Sequence, residues 1–256
     1  MGTTLYAEWK GELGWLLLWY APAIRHMSRQ HDRTVFALDR SLTHIVDDFA
    51  DEIVPLKVQG HAQHTGQILE GELPEIGEDW TVARWKDVFT QGWKKNPPPR
   101  EHREFGRPPK VLFDAVCFFR PPKTLKGGRG DPNRKSYPED MAKKLVELLV
   151  AKGWRVGCAG GPDNRTYDGA VDIRGIPLDW LCPVLRGAGV TIGPSSGPIH
   201  LASLSGSRHV TWCDHSPIRK RYEKSWNPFE TKVEYLGAPN PEPEEVAEAA
   251  ERIRSR

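Results

Sequence analysis

Four stretches of this chain carry residue types that could hold a phosphorylated ligand or move a proton, and each adjoins a strand-like run or a helix start. GPSSGPIHLASLSG (193–206) follows an apolar run and turns into a helix-like one. Ser195 or Ser196 can cap that helix, and Pro198 is tolerated in a first turn, where its missing N–H would have no acceptor. The unpaired backbone N–H groups at Ser195–Gly197 and the positive end of the helix dipole then form an anion site, best filled by phosphate, with His200 as a further donor. A plain capped helix with a core histidine has the same composition. In GGPDN (160–164), Gly160 and Gly161 admit a ribose or base close to the backbone and Asp163 can accept from ribose hydroxyls, although a simple tight turn uses the same residues. NRKSYP (133–138) sets Arg134 and Lys135 directly ahead of a helix, where a cation is unfavourable unless an anion shares the place. KGELGW (10–15) puts Glu12 in the first strand-to-helix turn, where a carboxylate can act as general base on a hydroxyl or merely favour the helix start. Arg120 and Arg134 are further candidate phosphate contacts.

These residues need elements to carry them. Strands are expected at 3–8, 34–39 and 52–56, with a helix from Trp15 to about Gln30 between the first two; 57–79 is polar and unpatterned, and 79–95 has helical spacing. NPPPREHREFGRP, with three consecutive prolines, cannot be a regular helix or a central strand and reads as a linker. Beyond it the pattern restarts: strand 110–116, a long Gly/Pro/basic loop, helix 137–153, strand 154–161, a short strand near 170–175, helix 178–188 weakened by Pro183, strand 189–193, the glycine-serine turn and its helix, strand 208–213 and a closing helix 242–256. Alternating strands and helices imply parallel sheets, whose ligands sit beyond the carboxyl ends of the strands.

Composition narrows the class. The 256 residues are 38% hydrophobic and 27% charged, with net charge +2 and mean hydropathy −0.56, a globular balance. The most apolar run, GWLLLWYAPAI, is too short to span a bilayer, and no basic cluster precedes it, so no signal peptide or stable membrane insertion is expected and a cytoplasmic protein is. Four cysteines without a CxxC pair read as reduced, buried thiols. No G-x-G-x-x-G follows a strand, no Walker A motif occurs, and neither an Asp-x-Asp pair nor a His/Cys cluster suggests a metal. Lys94 to Lys135 holds twelve Lys/Arg against four Asp/Glu, either a solvated basic segment or a surface for a polyanion.

In order, the four stretches resemble the heptosyltransferase-like family of GT-B glycosyltransferases, glycosyltransferase family 9. GELGWLLLWYAPAIR looks like that family's first turn and helix, with Glu12 where the family has its catalytic aspartate. KSYP matches the Lys-x-Trp-Pro motif, placing Lys135 on the donor's phosphates. GGPDN matches the nucleoside-holding turn. SSGPIHLA matches the signature Asp-(Ser/Thr)-Gly-x-x-His-x-Ala at Ser196, Gly197, His200 and Ala202, with Ser195 in place of the aspartate. The resemblance implies an α/β GT-B fold: two Rossmann-like domains with parallel sheets facing an interdomain cleft. An acceptor-side domain over 1–95, trimmed relative to the family, would be joined by a linker at 96–109 to a donor domain over 110–256, whose closing helix could pack back on the first. It implies transfer of a sugar from a nucleotide-sugar co-substrate, with inversion and no other cofactor, to a saccharide of the lipopolysaccharide type. The basic segment leaves open a phage-type enzyme acting on hydroxymethylated pyrimidines in DNA, and Ser195 leaves open a non-catalytic sugar or nucleotide binding module.

Overall fold

A computed structural model of the chain describes residues 2–62, 66–84, 99–105, 112–120, 136–213, 216–222 and 226–255. Arg134 and Lys135 lie outside the described residues, as do 85–95 of the expected helix and much of the proline-rich segment. Two compact units make up the chain, Met1–Arg103 and Glu104–Arg256.

In the first unit, β1 (Thr4–Glu8) is central, with parallel β2 (Arg33–Asp39) and β3 (Glu52–Ala62) on one side and parallel β5 (Thr81–Arg84) on the other. The fifth strand, β4 (Gly66–Glu70), pairs antiparallel with the far end of β3, giving the order β4-β3-β2-β1-β5. All five residues of β1 are buried, as a run without polar alternation demands of a strand paired at both edges. Two expectations are corrected here. Thr81–Arg84 does not begin a helix: it extends along β1, with Leu5 opposite Thr81 and Glu8 opposite Arg84. The polar stretch after residue 56 carries the end of β3 and all of β4.

Helix α1 occupies residues 13–28 as Leu13–Trp15, a π-helical turn Leu16–Tyr20, and Ala21–Ser28. Four of the five residues of that turn are buried, more than one face of a 3.6-residue helix offers, and the wider π turn accommodates them.

The second unit runs β6 (Ala115–Phe118), α2 (Glu139–Ala151), β7 (Val156–Gly160), β8 (Val171–Arg174), α3 (Leu178–Gly187), β9 (Val190–Pro194), α4 (Gly197–Leu204), β10 (His209–Trp212), α5 (Ser216–Tyr222), β11 (Val233–Leu236) and α6 (Pro243–Arg254). All six strands are parallel, in the order β11-β10-β9-β6-β7-β8. Counted from β6 this is the doubly wound order 3-2-1-4-5-6, which reverses between β6 and β9. The strand expected at 110–116 starts later: Asp114 stays at the sheet's lip, accepting the Arg155 N–H at 2.7 Å and pairing with Arg254. Helix α3 continues through Pro183.

Helix α2 buries Ala142, Leu145, Val146 and Leu149, one stripe at helical spacing, in the same core as Val246, Ala247, Ala249, Ala250 and Ile253 of α6. Each fully buried leucine contributes roughly 1.5–3 kcal/mol. All four cysteines are buried, and burial pushes the Cys117 and Cys158 thiols up, away from the reactive thiolate. Among the described residues no helix is long and apolar enough to cross a membrane.

His209, fully buried at the start of β10, shares a 3.0 Å hydrogen bond between Nδ1 and the Ser207 carbonyl. Burial lowers its pKa to about 4, partly offset by that bond. The unfolded chain therefore binds a proton that the folded chain refuses between about pH 6.5 and pH 4. Stability is unaffected above that window and falls on acidification through it, by roughly 3 kcal/mol in all. Urea midpoints taken from pH 7 to 4.5 should drop less in His209→Gln than in wild type; equal slopes would contradict this assignment.

Candidate functional site

The sheet reversal in the second unit makes the carboxyl ends of β6 and β9 the place to look for a ligand. Beyond β9 the chain makes one tight transition into α4. Ser195 donates its N–H to the Trp212 carbonyl at 2.9 Å, tying the turn to β10. Ser196 is extended (φ −159°, ψ 172°), and its carbonyl accepts the N–H groups of Ile199 and His200, both at 3.1 Å. The Ser196 side chain makes no capping bond, and Pro198 has no N–H to give. The first turn of α4 thus carries backbone donors that Ser196 does not cap and the positive end of a dipole. At Gly193 the approach of β6 is tight: a Cβ there would meet the Phe118 carbonyl at 3.1 Å and Ile199 Cδ1 at 3.3 Å.

The structure divides the residues expected at this turn. Ser196 and Gly197 are half-buried, within reach of a ligand. Ser195 and His200 are only 3% and 6% exposed. The His200 ring stacks on Tyr222 of α5 at 5.4 Å and meets the edge of Trp226 at 4.9 Å. Burial pushes the Tyr222 phenol well above its ordinary range, opposed in part by the nearby Ser195 and Thr211 side chains. Ser195 therefore faces an aromatic cluster rather than solvent.

Beyond β7, Gly160 has φ +123°, and the Asn164 amide fills the space a Cβ would occupy. The loop is held on both sides. The Gly175 N–H reaches the Gly160 carbonyl at 2.8 Å and the Asn164 N–H reaches Gly161 at 2.9 Å. Arg174, paired with Asp172 at 2.7 Å, donates to the carbonyls of Asn164 (2.5 Å) and Pro162 (3.3 Å). Gly161 and Asp163 remain exposed on its outer side. Arg120, half-buried, follows β6 at the same end of the sheet.

One cation escaped the sequence reading. Arg165 donates its N–H to the Phe119 carbonyl at 2.7 Å, lacing the loop after β7 to the end of β6, and its guanidinium reaches Glu139, in the first turn of α2, at 3.3 Å. It stands ahead of the helix start where Arg134 and Lys135 were expected to act. The signal was there in sequence, an arginine one residue past GGPDN.

The first unit also changes strand order between β1 and β5, and Tyr20 of the π turn bonds to both strands. Its hydroxyl accepts the Glu8 N–H at 3.1 Å and donates to the Ala83 carbonyl. Glu8, 7% exposed, pairs with Lys10 and lies 4.0 Å from Arg84. Burial, and then the Glu8 charge, push the Tyr6 phenol up to about 12. Next comes Gly11, whose Cβ would fall 2.5 Å from the fully buried Trp9 ring, so only glycine fits. Glu12 then starts α1 in extended geometry, exposed, its side chain making no capping bond.

No protein-family model matches this chain, and no curated protein matches it. Solved structures do. A glycosyl transferase family 9 protein from Veillonella parvula superposes with a TM-score of 0.59 at 12% identity, covering 98% of this chain and 97% of its own. E. coli heptosyltransferase WaaC with ADP-2-deoxy-2-fluoro heptose gives 0.52 at 12%, covering 97% and 98%. The iron-containing dodecameric glycosyltransferase TibC from enterotoxigenic E. coli gives 0.53 at 18%, covering 82% of this chain but 57% of its own. The fold is GT-B. Within the GT-B scaffold the described candidates form separate groups. Gly160, Gly161, Asp163, Ser196, Gly197 and Arg120 line the carboxyl end of the second unit's sheet. Ser195 and His200 stand just behind them. Glu12 stands at the corresponding end of the first unit's sheet.

Proposed function

We propose that this chain is a nucleotide-sugar-dependent, inverting glycosyltransferase whose own residues, rather than a metal, stabilise the leaving group. The observation that carries the reading is the α4 start, uncapped by Ser196, beside the strand-order reversal of a GT-B second unit, flanked by the rigid Gly160–Asn164 loop. Backbone donors there suit a diphosphate, and Gly161 and Asp163 suit a ribose. The acceptor oxygen attacks the anomeric carbon as Glu12 takes its proton. The anomeric C–O bond breaks, and the nucleoside diphosphate leaves with the electron pair. Ser196, Gly197, Arg165, Arg120 and Lys135 stabilise the charge growing on it. Ser195 and His200 support the turn from behind. We take the acceptor to be a saccharide of the lipopolysaccharide type, since a heptosyltransferase is among the structures this fold resembles.

A thermal-shift panel of ADP-, GDP-, UDP- and dTDP-sugars tests the reading. The cognate donor should raise the melting temperature with concentration, by about 2.7 kcal/mol of stability at a hundred times Kd. No shift with any donor would overturn it. Turnover of a bound donor would exclude the binding-module alternative, and salt-sensitive binding of duplex DNA would favour the DNA-modifying one.

A further inference from the structure

Trp15 is the odd residue of α1. Leu16, Leu17, Leu18 and Tyr20 around it are buried, yet its indole is 41% exposed. It does not stand alone. Its ring lies 5.8 Å from Trp19, tilted by 49°. Trp19 is backed in turn by Arg100, whose guanidinium lies 4.3 Å over that ring while Nη1 donates to the Leu18 carbonyl at 3.2 Å. The outer indole thus rests on a fixed stack. Trp15 also shares the start of α1 with Glu12: its backbone N–H donates to the Glu12 carbonyl at 3.1 Å.

We propose that Trp15 is the stacking platform for a sugar ring of the acceptor, beside the carboxylate that receives the acceptor's proton. This rests on the glycosyltransferase reading above. A pyranose presents C–H groups on its faces and hydroxyls at its rim. The C–H groups suit the electron-rich face of an indole, and a rim hydroxyl suits Glu12. A nucleobase would also stack, but its phosphates would approach the Glu12 carboxylate. Lys10 pairs with Glu8, and Arg100 lies over the Trp19 ring. An uncharged sugar ring can seat there without bringing a negative charge against Glu12.

The test uses the full chain, with a dephosphorylated, carboxyl-reduced lipopolysaccharide core oligosaccharide and a dT12 oligonucleotide as probes. Saturation-transfer NMR should show the oligosaccharide's ring protons on wild type. Trp15→Ala should weaken that binding at least tenfold and Trp15→Phe should recover most of it. The thermal shift given by the cognate nucleotide sugar should be the same in all three proteins. The platform is overturned if wild type does not bind the oligosaccharide, if Trp15→Ala binds within twofold of wild type, or if dT12 is the probe whose binding needs Trp15. Loss of the donor shift in wild type is a different result: it removes the glycosyltransferase reading, whatever Trp15 does.

Discussion

Glu12→Gln is expected to lower kcat by about 10²–10⁴-fold, the usual contribution of a positioned general base, with the melting temperature unchanged. The second half of that expectation makes the first interpretable. Glu12 joins α1 through its backbone carbonyl, which accepts the N–H groups of Trp15 (3.1 Å) and Leu16 (3.2 Å), while its side chain caps nothing and is exposed. The amide therefore removes proton-accepting capacity and leaves the helix start intact. Donor affinity should also hold, because the candidate donor groups belong to the other unit. The neighbouring carboxylate supplies the contrast. Glu8 is buried against Lys10 and Arg84, so Glu8→Gln leaves two cations short of a partner and should register first in stability. If Glu12→Gln turned over normally while Glu8→Gln folded and did not, Glu8 would be the base.

What could be read in the sequence was local. Apolar runs located β1, β2, β7, β9 and β10, since an unalternating run between turns has few places to go but a parallel sheet. Gly160 was legible as a residue of a tight turn after a strand. Contacts made at a distance were not legible. Thr81–Arg84 carries a spacing that suits helix or strand, and only the open edge of β1 decides between them. The apolar residues of β11 fall in a four-residue run, too short to show a period. At the site the same limit applies. That Ser195 and His200 turn inward depends on Tyr222 and Trp226, at least twenty residues further on. That Tyr20 joins β1 to β5 depends on a π turn, which no hydrophobic period announces. Motif matching placed Gly160, Asp163 and Ser195–Gly197 beyond strand ends of one sheet without separating the exposed residues from the buried Ser195 and His200.

The adjacent glycines of GGPDN should come apart under substitution. At Gly160, φ of +123° is open to glycine almost alone, and a Cβ would strike the Asn164 amide. Gly160→Ala should cost roughly 1–3 kcal/mol in stability, as a forced backbone does, and should loosen the loop that Arg174 and Gly175 hold. At Gly161 the backbone is ordinary, and the nearest atom to an added Cβ is Asn164 Oδ1 at 3.9 Å. Gly161→Ala should therefore fold within about 0.5 kcal/mol of wild type. A methyl on that exposed face still stands where a ribose or base would approach, so donor affinity should fall about tenfold, or ~1.4 kcal/mol. Denaturant midpoints and donor titrations of the two variants separate the roles. Should Gly161→Ala bind donor as wild type does, the loop is a tight turn and nothing more, and the nucleoside must rest elsewhere on the sheet's carboxyl end.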